Sequence, residues 1–231
     1  MFPFFHLTLI YVMLAPQPRS FPLPSIQRLP VYLRFLKEQR DRGENVVSCT
    51  RIAEEFGQLS VQVRKDLSIT GIIGRPKIGY KIVELVEAIE DFLGWNIKTS
   101  ACLVGAGSLG RAILGYDGFV EHGLDIRCAF DVDPKVVGTT IHGRPVHHVS
   151  EIPTIGVQQQ FVIGILTVPA TAAQRATNAL LETGIKAVWN YTPVRLELPA
   201  NVICEDVKLS ASFAVLSSRM KNGLLHESFD L

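Results

Sequence analysis

The chain has 231 residues, 47% of them apolar and 19% charged, with a net charge of +1. This composition excludes a disordered chain, a collagen and a long coiled coil, and no run reaches the ~18–20 apolar residues of a membrane span. Four cysteines without a C-x-x-C pair exclude a disulfide framework and a zinc ribbon; they fit a reduced chain in the cytoplasm, with no metal site expected. The balanced charge conceals an asymmetry. Residues 20–81 hold 11 Lys and Arg against 6 Asp and Glu, whereas residues 82–231 hold 11 against 16. A basic first third suits a partner rich in phosphate, and the acidic remainder points to a different task.

Residues 1–24 read as a leader. Met1 to Ala15 is apolar, but no basic residue precedes the apolar run, so it lacks the form of a secretory signal. We read Met13 as the natural start, which predicts a disordered or loosely attached leader. Four prolines between Leu14 and Pro24 make that stretch a spacer.

Residues 25–85 read as a winged helix-turn-helix. Between Arg28 and Arg40, Tyr32, Leu33, Leu36 and the Val31/Phe35 pair recur at helical spacing, and Pro30 suits a first helical turn. Ser48 is placed to cap a second helix, Cys49–Phe56, that buries Ile52, Ala53 and Phe56. Beyond the turn Gly57-Gln58-Leu59, Ser60 is placed to cap a third helix from Val61 to about Ile69. Val63 and Leu67 face inward there, which turns Gln62, Arg64 and Lys65 elsewhere. Two helices joined by such a turn form the unit that lays its second helix in the major groove of DNA. Arg bonds bidentately to guanine and Gln to adenine, whereas Lys takes a phosphate. The glycine-punctuated stretch from Gly71 to Tyr80, with Arg75 and Lys77, reads as a basic hairpin wing. Candidate DNA contacts are therefore Ser60, Gln62, Arg64, Lys65, Arg75 and Lys77. A small helical domain with a solvated charged face fits the same pattern.

Residues 99–207 read as a Rossmann-type, doubly wound parallel sheet, which makes the chain an α/β protein. The apolar strand Ala101–Val104 runs into Gly105-Ala106-Gly107-Ser108-Leu109-Gly110 and then into a helix. This is G-x-G-x-x-G in its required context, where the first glycine permits the turn, the second lets the backbone approach a diphosphate and the third lets helix and strand pack closely. The next strand, Ile126–Phe130, ends at Asp131, at the distance expected for a carboxylate on the ribose hydroxyls. An acid there repels a 2′-phosphate, so NAD(H) is favoured over NADP(H). Phe161–Val168 is a nearly continuous apolar run, Thr171–Thr183 is helical, and Ala187–Tyr191 and Val202–Cys204 are shorter strands. Loops at the carboxyl ends of such strands line the nucleotide crevice, so Thr167, Pro169, Asn190 and Thr192 are site candidates, and Tyr116 is a polar aromatic residue near the glycine loop.

No catalytic apparatus stands out. A dehydrogenase needs a substrate domain or an acid–base group over the nicotinamide, and the segment after about Leu209 reads as little more than one helix. His142, His147 and His148 fall in a predicted loop without Cys or acidic partners at metal spacing. The four cysteines read as structural.

These residues resemble the Rex family of redox-sensing transcriptional repressors of bacteria. The matching stretches are R-L-P-V-Y-L-R at 28–34, V-R-K-D-L at 63–67, G-Y at 79–80, V-G-A-G-S-L-G at 104–110, Y-D-G-F at 116–119, F-D-V-D-P-K-V-V-G at 130–138, L-T-V-P-A at 166–170 and N-Y-T-P at 190–193. The resemblance implies a homodimer whose C-terminal helix, residues 208–231, swaps into the partner. It also implies binding to inverted-repeat operators in double-stranded DNA when NAD+ dominates, and release when NADH accumulates. Arg64 and Lys65 would touch DNA, Gly105 to Gly110 would hold the diphosphate and Asp131 the ribose. Arg34 and Tyr116 would join the network that links nucleotide state to domain arrangement. The chain departs from the family pattern at Ser68-Ile69-Thr70-Gly71, where an aromatic pair is usual, and at Lys77, where a wing glycine is usual. Lys208 replaces the Asp that acts with the Tyr and Arg in the switch.

The expected function is an NADH-responsive, DNA-binding repressor and not an enzyme. Two alternatives stand beside it: a diverged paralogue that binds DNA whatever the redox state of its nucleotide, and a small NAD-dependent oxidoreductase.

Overall fold

The computed structural model describes residues 21–227. The leader expected over residues 1–24, and the start at Met13, fall outside them as far as residue 20. The chain divides into two units between Gly94 and Trp95.

In the first unit, helix α1 (Leu23–Asp41) buries Leu29, Tyr32, Leu33, Phe35 and Leu36. These recur every three or four residues and form one apolar stripe. The helix starts five residues ahead of the predicted Arg28, because Pro24 occupies its first turn, where a missing N–H costs nothing. Pro30 is then interior, and Val31, 40% exposed, falls outside the stripe. Helix α2 (Cys49–Phe56) is capped by Ser48, whose hydroxyl accepts the Arg51 N–H at 3.1 Å. Helix α3 (Ser60–Ser68) begins at Ser60 itself, so that residue does not cap it; Leu59 holds the cap position without a side-chain bond. Two short strands, β1 (Val46–Val47) and β2 (Tyr80–Lys81), pair antiparallel at the base of the wing. Helix α4 (Ile82–Leu93), which the sequence reading left unassigned, completes the unit by burying Ile82, Leu85, Val86 and Ile89.

The second unit is built on a seven-stranded sheet. Its parallel core comprises β3 (Thr99–Val104), β4 (Leu124–Asp131), β6 (Arg144–His148), β7 (Ile163–Leu166), β8 (Ala187–Asn190) and β9 (Ile203–Asp206). The spatial order is β6-β4-β3-β7-β8-β9, the doubly wound arrangement in which the chain reverses direction of winding at β3 and β7. The short β5 (Thr140–Ile141) adds antiparallel to β6. Every residue of β3 after Thr99 is buried, as a strand covered on both faces requires. Cys102 and Val104 face one core with Phe130, Ile152, Leu166 and Leu180; Ala101 and Leu103 face the other with Ile113, Ala129 and Ile165. Helix α5 (Ser108–Leu114) contributes to the second core, and α7 (Ile152–Gln159) and α8 (Ala170–Glu182) to the first. A single turn, α6 (Gly118–Glu121), follows α5. His147 and His148 lie in β6 and not in a loop, and the His148 ring caps the following turn at Ser150.

The last described helix is α9 (Leu209–Glu227). Leu209, Phe213, Leu216 and Met220 recur at helical spacing and are each more than half exposed. No helix among the described residues is long and apolar enough to cross a membrane.

Candidate functional site

The glycine loop leaves the carboxyl end of β3 and is fastened at four points. The Gly105 N–H donates to the Phe130 carbonyl at 2.8 Å, and the Thr167 hydroxyl donates to the Gly105 carbonyl at 2.7 Å. The Ala106 N–H donates to Asp131 Oδ2 at 2.6 Å, and Arg111 Nε donates to the Ala106 carbonyl at 3.0 Å. Gly105 has a φ of +105°, and a Cβ there would meet the Thr167 carbonyl oxygen at 2.7 Å. A Cβ on Gly110 would lie 2.0 Å from the Gly105 carbonyl oxygen, so only glycine lets α5 sit this close to β3. Gly107 differs, because a Cβ there would touch nothing within 4 Å. No side chain caps α5, so the backbone N–H groups of its first turn remain available to an anionic ligand.

The loop opens onto a cavity of about 730 Å³, within the size range of small-molecule sites. Val104, Phe130, Ile152, Val168, Ala176 and Ala179 make its apolar walls; Asp131, Ser150, Thr167 and Arg175 bring polar groups to it. Gly105, Gly107, Leu109 and Pro169 also line it, whereas the predicted Ala106, Ser108 and Gly110 do not. Asp131 already accepts the N–H groups of Val132 and Asp133 through Oδ1, at 2.7 and 2.9 Å. With only Ala106 on Oδ2, that oxygen keeps acceptor capacity for a ligand hydroxyl.

In the first unit, Arg64 and Lys65 are exposed on α3. Gln62 is not free to read a base edge with both amide atoms, because its nitrogen donates to Asp66 Oδ1 at 2.9 Å. The wing closes through Arg75 and Gly79, which exchange both backbone hydrogen bonds at 2.7 and 2.9 Å. At its tip Lys77 takes a φ of +62°, a conformation that strains any residue with a Cβ. Arg64, Arg75 and Lys77 converge on one cleft of about 560 Å³ with Ser48 and Tyr80.

Residues 20–68 match the family model "Putative DNA-binding protein N-terminus", and residues 96–194 match "CoA binding domain". The chain is 47% identical over 197 residues to the redox-sensing transcriptional repressor Rex of Treponema denticola, an alignment that covers 85% of this chain and 94% of that protein. The chain belongs to the Rex family. The Rex protein of Bacteroides thetaiotaomicron is 41% identical, with 86% and 90% of the two chains covered. Among solved structures, the Rex-family repressor RSP with NAD+ and operator DNA aligns with a TM-score of 0.84 at 31% identity, covering 92% of this chain and 98% of that one. RSP with NADH aligns at 0.80.

The remaining Rex-motif residues do not all line the glycine-loop cavity. Asn190 is buried and committed: its amide donates to the Val194 carbonyl and to Asp206, and its oxygen accepts from both the N–H and the hydroxyl of Thr192. Thr192 and Lys208 line a neighbouring cleft of about 660 Å³ with Arg195 and Asp206. Tyr191 is shared by the two hollows. Tyr116 is 56% exposed and starts a file of ring contacts through Phe119 and Trp189 to Tyr191, with centroids 4.7, 5.3 and 5.3 Å apart. Arg34 is exposed on α1. Burial pushes the Cys128 thiol up to about 12, and burial with Cys128 beside it pushes the Cys102 thiol well above its ordinary value, so neither is a thiolate nucleophile. Sequence reasoning missed Arg175 and the alanine wall of α8. The i, i+4, i+7 spacing of Ala172, Ala176 and Ala179 was the signal that a ligand-sized space lies against that helix.

Proposed function

We propose that this chain is a DNA-binding transcriptional repressor that reads the ratio of NADH to NAD+. It holds an inverted-repeat operator when NADH is scarce and releases it when NADH accumulates. One observation carries the reading. The same chain joins exposed Arg64 and Lys65, beside a basic wing, to a prefastened glycine loop over an apolar cavity. Gly105 to Gly110 take the diphosphate, and Asp131 takes the ribose hydroxyls and disfavours a 2′-phosphate. Arg64 and Lys65 meet the major groove, and Arg75 and Lys77 meet phosphates alongside. The chain works in the cytoplasm as a homodimer, with the apolar stripe of α9 packed on its partner. It is a regulator and not an enzyme, in keeping with the repressor name of its relatives.

The switch is a population shift. NADH releases DNA only by binding the arrangement that cannot hold DNA better than the one that can. A preference of about 100-fold supplies ~2.7 kcal/mol per site, and the sites of a dimer add. The test is fluorescence anisotropy on inverted-repeat DNA selected by this protein from a random pool, titrated across NADH/NAD+ ratios. Affinity falls as NADH rises if the reading is right; affinity indifferent to every ratio overturns the sensing half. Lys208 favours a second reading, constitutive DNA binding around a structural nucleotide, because a cation stands where the family has an acid. Nucleotide that survives purification, with DNA affinity blind to its redox state, would establish it.

A further inference from the structure

Asp66 lies on α3, one residue beyond the exposed Arg64–Lys65 pair, yet its carboxylate is wholly buried. Such a group is costly unless fully paired, and this one is paired from two helices. Arg28 of α1 grips it with both arms of the guanidinium fork, Nε to Oδ2 at 2.6 Å and Nη2 to Oδ1 at 2.7 Å. The Tyr32 hydroxyl, also on α1, lies 2.9 Å from Oδ2 and 2.5 Å from Gln58 Oε1, with one proton to share between them. Ser25 of α1 also hydrogen-bonds the carboxylate, and Gln62 adds its amide nitrogen from α3 itself, on Oδ1 at 2.9 Å.

The apolar anchors of α3, Val63 and Leu67, are fully buried as well. Apolar burial is non-directional, so these contacts hold the inward face down and fix the helix's rotation less sharply than a directional bond does. A bidentate fork is directional. Side-chain tips stand ~5–6 Å from a helix axis, so a roll of about 10° carries Arg64 sideways by ~1 Å. That exceeds the ~0.5 Å window of a good hydrogen bond to a base edge.

We infer that Asp66 is a positioning residue for DNA recognition: clamped by Arg28 and Tyr32, it sets the roll of α3 and so decides discrimination between base sequences rather than affinity for DNA in general. This rests on the DNA-reading assignment of α3 made above. The clamp also explains Gln62. In serving Asp66 it gives up the bidentate adenine contact that the sequence suggests, which leaves base reading to Arg64.

The test uses the full-length chain and compares Kd for the selected operator with Kd for a scrambled duplex, each over a salt series. Asp66→Asn keeps the shape and removes the charge; Arg28→Lys keeps the charge and removes the fork; Tyr32→Phe removes a single hydrogen bond. Expected are operator affinities at least tenfold weaker for the first two and about threefold weaker for the third. Scrambled-DNA affinity stays equal or slightly stronger, with the salt slope unchanged. Should Asp66→Asn fail to fold, the other two decide. Equal operator preference in every folded variant overturns the clamp, as do parallel losses on both duplexes that track the unfolded fraction. A wild-type chain with no operator preference sinks the DNA-reading assignment itself, and the clamp with it.

Discussion

Replacing Gly107 by alanine separates ligand contact from folding. Gly107 has φ −71° and ψ −167°, which alanine adopts freely, and its Cβ would touch no atom of the protein within 4 Å. The substitution therefore changes the stability of the folded chain by less than about 1 kcal/mol, since the lost freedom of the unfolded chain is offset by the poorer fit of alanine at the N-cap of α5, and it leaves the melting temperature within ~4 °C. Gly107 lines the cavity, and on the proposed reading the same methyl group meets the diphosphate there. Displacing one charge-assisted hydrogen bond costs about 1.5–3 kcal/mol, or ~10–150-fold in affinity. Gly110→Ala is the contrasting variant. Its Cβ lands 2.0 Å from the Gly105 carbonyl oxygen, and relieving that clash disturbs the 2.7 Å bond from Thr167. Overpacking of this kind costs about 1–3 kcal/mol, so Gly110→Ala lowers the melting temperature as well as the affinity. Calorimetric titration with NADH, paired with thermal melts, reads both quantities. A Gly107→Ala chain that binds NADH within twofold of wild type, or that melts several degrees lower, refutes the argument.

Three further outcomes are expected. Lys77→Gly removes left-handed strain at the wing tip and stabilises the first unit by about 1 kcal/mol; it also flattens the salt dependence of DNA binding by about 0.9 in log–log slope, and a slope that stays put removes Lys77 from the phosphate contacts. Asp131→Ala frees the N–H groups of Ala106, Val132 and Asp133; it weakens NADH binding at least tenfold (~1.4 kcal/mol) and narrows the NADH-over-NADPH preference, and a preference left intact in parallel titrations counts against the ribose role. Burial pushes the Asp66 carboxyl up, but hydrogen bonds from Arg28, Ser25, Gln62 and Tyr32 together outweigh it and hold it below its ordinary value. The unfolded chain therefore takes up this proton first, and the stability it confers is present above about pH 5 and lost as the pH falls below ~4; urea melts from pH 7 to 3 lose stability more steeply in wild type than in Asp66→Asn, and parallel slopes contradict this.

Much of the second unit was legible because its signals are local. An apolar strand, a glycine loop and an acid at the end of the next strand each lie within a few residues of chain, and the parallel strands read as apolar runs because both faces are covered. What escaped depended on distance. Asn190 ends a strand where a crevice residue is expected, but its partners Val194 and Asp206 turn it into an internal brace. Gln62 has the spacing of a base reader, and only the fold brings Asp66 and Arg28 together to claim it. Helix α4 carries a clear apolar stripe, but it follows a wing that by itself reads as the end of the unit. The start of α1 is hidden because closely spaced prolines signal a spacer, although Pro24 suits a first turn as well as Pro30 does.

The four fastenings hold the loop that, on the proposed reading, takes the diphosphate, a portion of a nicotinamide dinucleotide that gaining or losing a hydride leaves unaltered. Oxidised and reduced forms present the same diphosphate to Gly105–Gly110, so this rigid seat holds both equally well and is deaf to the difference between them. On that reading, whatever tells them apart acts at the nicotinamide end, for which Tyr191, shared by the two hollows, and Lys208, a cation in the second, are the candidates. Anchorage and perception thus fall to separate stretches of one chain, and either could change in evolution without disturbing the other.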